Sequence, residues 1–252
     1  IDPLLPEARH SPRGGRRRAD WRLVFEGILW VLRSGARWKD LSDAYPSPST
    51  CRRRQGEWEE SGVWLAAWRA MVAALDDEGR MNWAESFADG SFAPAKKGAS
   101  AWVRPNVEKV QSGGWWETAK VFLWEFTCLG LADGGKLLEI TLDGVVAAAS
   151  AMALPNGDPS RLILDSAYDS APLRYRLAQR GIEVVCPHRR GRRRPSQQDG
   201  RALRRYRRRW KIERLIAWLG NFRRLVVRYE RNIMMYRAFM HVACLIIVAR
   251  QS

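Results

Sequence analysis

Cysteine and histidine are scarce in this sequence, and neither stands in pairs. The four cysteines (Cys51, Cys128, Cys186, Cys244) are scattered with no CxxC pair, and none of the three histidines completes a metal-binding spacing. That argues against a zinc framework and for free thiols in a reducing compartment. A signal-peptide pattern is also missing. The apolar run Met240 to Val248 is too short to span a bilayer and carries His241, so it reads as a buried C-terminal helix. Acidic residues are in deficit: 27 Asp and Glu face 43 Lys and Arg, a net charge of +16. Such a balance favours a polyanionic partner, most simply nucleic acid, although ribosomal and membrane-surface proteins share it. The chain opens Ile1-Asp2-Pro3 without methionine, which points to a truncated start. What is plentiful is apolar material. The chain is 46% hydrophobic with 13 tryptophans, enough to bury a sizeable core as one large or two modest domains.

Residues 1–19 are rich in Pro, Gly and Arg and read as a basic arm. From Trp21 to Arg33 the apolar spacing is helical, and Gly35 ends it. A short helix is expected through Trp38, Leu41 and Tyr45. After the Pro46-Ser47-Pro48 turn, Ser49 or Thr50 is expected to cap a helix opening Cys51-Arg52-Arg53-Arg54. A third helix runs from Val63 to Leu75. Helix, turn, then a helix with an arginine-rich first turn suits either a helix-turn-helix reading the major groove or a plain bundle with a solvated basic face. Beyond Asp76-Asp77-Glu78-Gly79 the character changes. Extended segments are expected at 87–93, 136–146, 161–164 and 182–186, with helices at 172–180 and 203–219. Strands alternating with helices imply an α/β domain behind an all-α one.

Asp165 follows Leu162-Ile163-Leu164 at the carboxyl end of a buried strand. Asp89 stands in a similar context, and Glu213 lies in the basic helix. Singly, each has an ordinary reading: a turn, a helix cap, half of an ion pair. Two strand-borne aspartates and a helical glutamate could also converge on divalent cations and leave positions for water and phosphate oxygens. Tyr206, Arg209 and Glu213, spaced i, i+3, i+7, share one helical face. Arg209 could steady Glu213 or hold a phosphate. Thirteen of the 26 residues from Arg189 to Arg214 are Lys or Arg, as in a track for a DNA backbone. Trp210 within that track reads as core packing, with stacking on a base as the alternative.

Asp89-Gly90-Ser91-Phe92-Ala93-Pro94-Ala95-Lys96-Lys97-Gly98 resembles the first acidic motif of bacterial DDE insertion-sequence transposases. Leu164-Asp165-Ser166-Ala167-Tyr168-Asp169-Ser170 resembles their second, and Tyr206, Arg209 and Glu213 fit the Y-x2-R-x3-E spacing of their third. The stretches Pro187–Arg190 through Asn221–Leu225, Gly27–Arg33 and Trp38–Leu41 are similar as well. The resemblance covers roughly four fifths of the chain. It implies an α/β, RNase H-like mixed-sheet catalytic domain over 80–252, preceded by an all-α helix-turn-helix-like domain over 20–79. It further implies Asp89, Asp165 and Glu213 as catalytic metal ligands and Mg2+ or Mn2+ as cofactor. The implied activity is cutting and joining DNA, with water and then a DNA 3′-hydroxyl as nucleophiles. Its DNA-binding residues would be Arg52, Arg53, Arg54, Tyr206, Arg207, Arg208, Arg209 and Lys211. The partners implied are duplex DNA, as terminal inverted repeats and target, and a second copy in a synaptic homodimer. The place implied is the bacterial cytoplasm, at the nucleoid and not a membrane.

Three departures stand out. Gly220 occupies the position where many relatives carry Lys seven residues after the glutamate. Gln55-Gly56-Glu57 interrupts a run of the second helix that is usually apolar and basic. Between about Ala99 and Cys128 the resemblance is lost altogether. Back-translated and read one frame over, Arg104 to Ser112 yields T-K-R-G-K-G-T-K-W and Glu117 to Thr127 can yield D-G-K-G-V-P-L-G-V-H-L, both like the family at this place. Two compensating frameshifts would produce this, making 99–128 an aberrant segment in central sheet beside the Asp89 strand. The segment should then pair irregularly and expose Trp115 or Trp116. That leaves a second reading open: a catalytically defective transposase that only binds DNA.

Overall fold

The computed structural model describes residues 2–5, 18–80, 84–94, 110–118, 127–129, 138–139, 142–143, 159–191, 193, 195–198 and 200–250. Three helices come first: α1 (Trp21–Ser34), α2 (Pro48–Glu60) and α3 (Val63–Asp77). The Asp20 side chain accepts the Arg22 N–H at 2.9 Å to open α1. Gly35 closes α1 at φ 71°, and a Cβ there would also lie 2.8 Å from the Arg223 Cβ. Only glycine meets both demands. α1 buries Val24, Ile28, Val31 and Leu32, the face its periodicity marks.

Two local expectations need correction. The short helix through Tyr45 is a 3-10 turn, Trp38–Asp40. α2 starts at Pro48 with Ser47 as its cap, because proline's fixed φ suits the first helical position, where no N–H is needed.

The sheet has five strands in the order β3-β2-β1-β4-β5. These are β1 (Glu85–Pro94), β2 (Val110–Thr118), β3 (Thr127–Leu129), β4 (Arg161–Ile163) and β5 (Glu183–Val185). β1 and β5 flank β4 in parallel, whereas β2 and β3 run antiparallel, so the sheet is mixed. β2 pairs with β1 in unbroken register from Ser86↔Thr118 to Pro94↔Val110. The backbone of the non-family segment is therefore regular here and beside the Asp89 strand. The central position expected of it holds, and the irregular pairing does not. Trp115 and Trp116 side-chain exposure lies outside the described residues.

Helix α4 (Ala171–Gln179) follows β4. Residues 136–146 do not form a strand where described: 138–139 and 142–143 are helical. Leu138 and Leu142 are buried four residues apart, while Glu139 bonds Arg176 at 2.8 Å and Asp143 bonds Arg180 at 2.6 Å. Two buried leucines four residues apart share one helical face, and the acid that follows each pairs with an arginine of α4 or its C-cap.

The long helix expected over 203–219 is also broken. A helical turn at Gly200–Leu203 and a 3-10 stretch at Arg205–Arg209 precede helix α5 (Trp210–Gly220). Five arginines crowd 204–209, and like charges at i,i+3 and i,i+4 disfavour a regular helix. Tertiary ion pairs to Glu85 and Asp89 hold the tighter form instead.

After a turn at Arg223–Val226, helix α6 (Ile233–Ala249) runs through the core, burying Tyr236, Phe239, Val242, Leu245 and Val248. It packs against α1, α2 and α3, as its apolar character predicts. Among the described residues, no helix is long and apolar enough to cross a membrane. Burial pushes the Cys51 thiol up to about 11 and Cys244 well above its ordinary range, so both are inert packing groups.

One buried charge joins α2 to α6. Glu59 accepts from Arg237 and stands 2.9 Å from His241 Nδ1. Burial alone would raise its pKa, but His241 and Arg237 outweigh that and hold it below the ordinary carboxylate range. A depressed folded pKa contributes stability that is present above the unfolded value near 4.3 and is lost as pH falls through the folded value. Glu59→Gln should therefore melt earlier than the parent at pH 7, by about 3 kcal/mol. Its melting temperature should also fall less between pH 5 and 3, and parallel pH profiles would refute the assignment.

Candidate active site

The parallel pairing of β1 with β4 ends at Phe87↔Ile163. Asp165 stands two residues further on, just past the carboxyl end of β4, and Asp89 stands two residues further on within β1, which continues to Pro94 in its pairing with β2. Asp165 caps a 3-10 turn, Ser166–Tyr168: its Oδ1 accepts the Ser166 N–H at 2.7 Å and the Tyr206 hydroxyl at 3.3 Å. The Cys186 thiol at the end of β5 donates to the Asp165 backbone oxygen at 3.0 Å. Two flanking segments therefore position this carboxylate.

The third acid arrives through Arg209. One arm of its guanidinium donates to Asp89 Oδ2 at 2.5 Å and the other to Glu213 Oε1 at 2.9 Å. Its Cζ lies 5.9 Å from the centroid of the Tyr206 ring, whose hydroxyl reaches Asp165. Asp89 and Glu213 thus share one guanidinium, and Asp165 is linked to it through Tyr206. Arg209 is only 15% exposed. Burial by itself would lower its pKa, but Asp89 first, then Tyr206, Asp165 and Glu213, raise it. Tyr168 senses the same field from the turn after Asp165. Burial, then the negative charge of Asp89 and Asp165, pushes its hydroxyl up to about 12. Tyr206 is raised mainly by its own burial.

The predicted DNA-binding residues divide among three elements: α2, the 3-10 stretch Arg205–Arg209 and α5. Tyr206 and Arg209 belong to the carboxylate cluster. Arg208 pairs with the buried Glu85 of β1 at 2.5 Å, Arg207 is exposed, and Lys211 stands 5.6 Å over the Phe87 ring. Arg52, Arg53 and Arg54 lie on α2, the first two exposed, with Arg53 and Arg54 both paired to Glu57. Sequence reasoning missed several supports of the site. Asp169 is buried, and its carboxylate accepts the Arg189 N–H at 3.1 Å and an Arg174 N–H at 3.4 Å. The Gln198 side chain accepts the Cys186 N–H at 3.0 Å and donates to the Val184 carbonyl, extending the end of β5. Tyr168 was legible as part of the second motif, whereas Gln198 carried no signal.

Three carboxylates with a tyrosine hydroxyl are hard oxygen donors of the kind Mg2+ or Mn2+ takes. Positive charge already settles between them, in the form of Arg209. Among the described residues no three His, Cys, Asp or Glu side chains stand close enough together to hold an ion, so an ion would have to draw the acids in and displace the guanidinium from Asp89 or Glu213.

Comparison with known proteins gives two family matches. Residues 138–248, which hold Asp165 and Glu213, match the family described as "Transposase DDE domain". Residues 1–68 match that described as "Putative transposase of IS4/5 family". Both matches are to transposase families, each over less than half of the chain. Among similar proteins is a Burkholderia cepacia protein named "Putative transposase for insertion sequence element IS402". It is 39% identical over 89 residues, 35% of this chain and 38% of the relative. A second Burkholderia cepacia protein, "Insertion element IS402 uncharacterized 16.2 kDa protein", is 34% identical over 36% of this chain and 65% of its own length. The chain thus spans less than two thirds of the curated relatives it matches. A solved pre-cleavage Mos1 transpososome aligns over 97% of this chain and 82% of that one, at 13% identity. Its TM-score of 0.29 is too low to define a fold.

Proposed function

We propose that this chain cuts and joins the ends of a bacterial insertion sequence by metal-dependent phosphodiester hydrolysis followed by strand transfer. The observation that carries this reading is the single guanidinium of Arg209 shared by Asp89 and Glu213, with Asp165 tied to the same cluster through Tyr206. Residues far apart in sequence come together beside the carboxyl end of β4, where an open α/β sheet presents its chemistry. In our reading residues 80–252 form an RNase H-like catalytic domain, 20–79 a DNA-binding domain and 1–19 a basic arm.

Asp89, Asp165 and Glu213 would hold Mg2+ or Mn2+, which supplies activation of the attacking oxygen and stabilisation of the leaving one. Water serves first as nucleophile and a freed DNA 3′-hydroxyl second. Tyr206 orients Asp165, and Arg209, once released from a carboxylate, is placed to hold a phosphate oxygen through its fork of N–H donors. Arg207, Arg208 and Lys211 follow the DNA backbone, and Arg52, Arg53 and Arg54 face the groove of a terminal inverted repeat. The chain would act at the bacterial nucleoid, pairing two ends as a homodimer.

Incubating the chain with duplex carrying the element's own ends tests this: nicking with Mg2+ and none with EDTA is expected. Binding without nicking under any divalent ion would favour the second reading, a DNA-binding remnant, for which the non-family segment 99–128 speaks. DNA affinity should fall steeply with salt, because arginines displace condensed counterions. Arg207→Ala with Arg208→Ala should flatten the slope of log K against log salt by about 2, near one for each phosphate that is no longer neutralised. An unchanged slope would show both side chains to be bystanders.

A further inference from the structure

Trp210 does not pack in the core as its sequence context suggests: it is 47% exposed, on the first turn of α5. The Arg214 guanidinium lies 4.0 Å from its ring centroid and 5.7 Å from that of Trp218. Trp210, Arg214, Trp218 and Asn221 are spaced by four, four and three residues, so they descend one face of α5. The row ends at an open cleft of about 450 Å³ lined by Arg33, Trp218, Asn221, Phe222, Ile247 and Arg250. Glu213 is the sole carboxylate of α5 and belongs to the site described above.

We infer that this face is a binding track for single-stranded DNA: one unpaired base stacks on Trp210 and a second enters the cleft, its phosphate held between Arg33 and Arg250. An exposed indole beside a guanidinium offers flat π surfaces, which unpaired bases occupy without regard to sequence. Duplex bases are already stacked on each other and cannot use them. The face is cationic in a chain of charge +16, which suits a phosphate backbone better than an apolar or basic partner. The cleft is of nucleotide size, not the size of a helix. That the strand comes from a cut end rests on the function proposed above, whereas binding itself does not.

Fluorescence anisotropy with the full chain tests this, using labelled oligo-dT and, separately, a duplex of equal length. Trp210→Ala should weaken oligo-dT binding about tenfold or more while leaving duplex affinity within about twofold. Trp210→Phe, which keeps an aromatic face, should retain most of the binding. Arg33→Ala with Arg250→Ala should also weaken oligo-dT preferentially. Unchanged oligo-dT affinity in Trp210→Ala, or equal loss for both ligands, would overturn the track. If the parent chain fails to cut DNA yet Trp210→Ala loses oligo-dT selectively, the track stands and the cleavage reading falls.

Discussion

Asp165→Asn should reduce metal-dependent nicking of end DNA by about 10³-fold or more while leaving duplex affinity nearly unchanged. The substitution keeps the side chain's shape and an oxygen able to accept from Ser166 and Tyr206, so the turn after β4 survives. What it removes is a negative charge at the cluster. Losing several kcal/mol of stabilisation of developing charge corresponds to about three powers of ten in rate. Asp165 is the cleanest of the three acids to test, because Asp89 and Glu213 also hold Arg209 and their loss would release a buried cation. Initial nicking rates at saturating Mg2+ measure the effect. A variant that cuts at more than a tenth of the parent rate would remove Asp165 from the catalytic set.

The largest stability effect is expected away from the chemistry, at Glu230→Ala. Arg224 and Glu230 form an ion pair at 2.7 Å with both side chains nearly inaccessible. Arg224 also donates to the Ala36 carbonyl at 2.9 Å, just past the end of α1. Beside it Arg228, 0% exposed, donates to the backbone oxygens of Glu230 at 2.9 Å and Arg231 at 3.0 Å. Its own N–H reaches the Pro94 carbonyl at the end of β1. This knot of buried arginines fastens the N-terminal helices and the Asp89 strand to the approach to α6. Removing Glu230 strands a buried guanidinium, which costs about 3–5 kcal/mol against a total stability of about 5–15. A fall of roughly 10 °C in melting temperature should follow. Glu230→Gln, which keeps a hydrogen-bond acceptor for Arg224, should fall by less. Equal and small shifts for both would mean that water reaches Arg224 after all.

Much of this was legible in the sequence wherever one short-range rule dominated. The α1 face, the Gly35 stop, the Asp165 strand end and the buried α6 each follow from periodicity or from a single residue's conformational demands. Legibility failed where distant partners decide. The crowded arginines of 204–209 disfavour a regular helix, but what holds the 3-10 stretch is distant: Glu85 and Asp89, more than a hundred residues earlier, pair with Arg208 and Arg209. Leu138 and Leu142 sit in an apolar run that looks extended until Arg176 and Arg180 supply the pairing. Trp210 has a core residue's composition and a surface residue's position, since α5 buries Ile212, Leu215 and Leu219 instead. Gln55, a polar departure within α2, is fully buried with neither amide atom bonded among the described residues. That misfit leaves about 1–3 kcal/mol of desolvation uncompensated. The acids Asp89, Asp165 and Glu213 were visible through their motifs. The guanidinium that gathers them was visible only as a residue of unspecified duty.

The central claim is that Asp89, Asp165 and Glu213 together bind divalent cations, and titration with Mn2+ tests it without relying on catalysis. Free Mn2+ is read by its electron paramagnetic resonance signal, which fades on binding. The parent chain should take up about two ions, the number a two-metal centre holds. The triple variant Asp89→Asn, Asp165→Asn, Glu213→Gln should take up none at the same concentrations, provided circular dichroism shows it folded. Equal Mn2+ uptake by the two folded proteins would contradict the account, because the cation would then be held elsewhere.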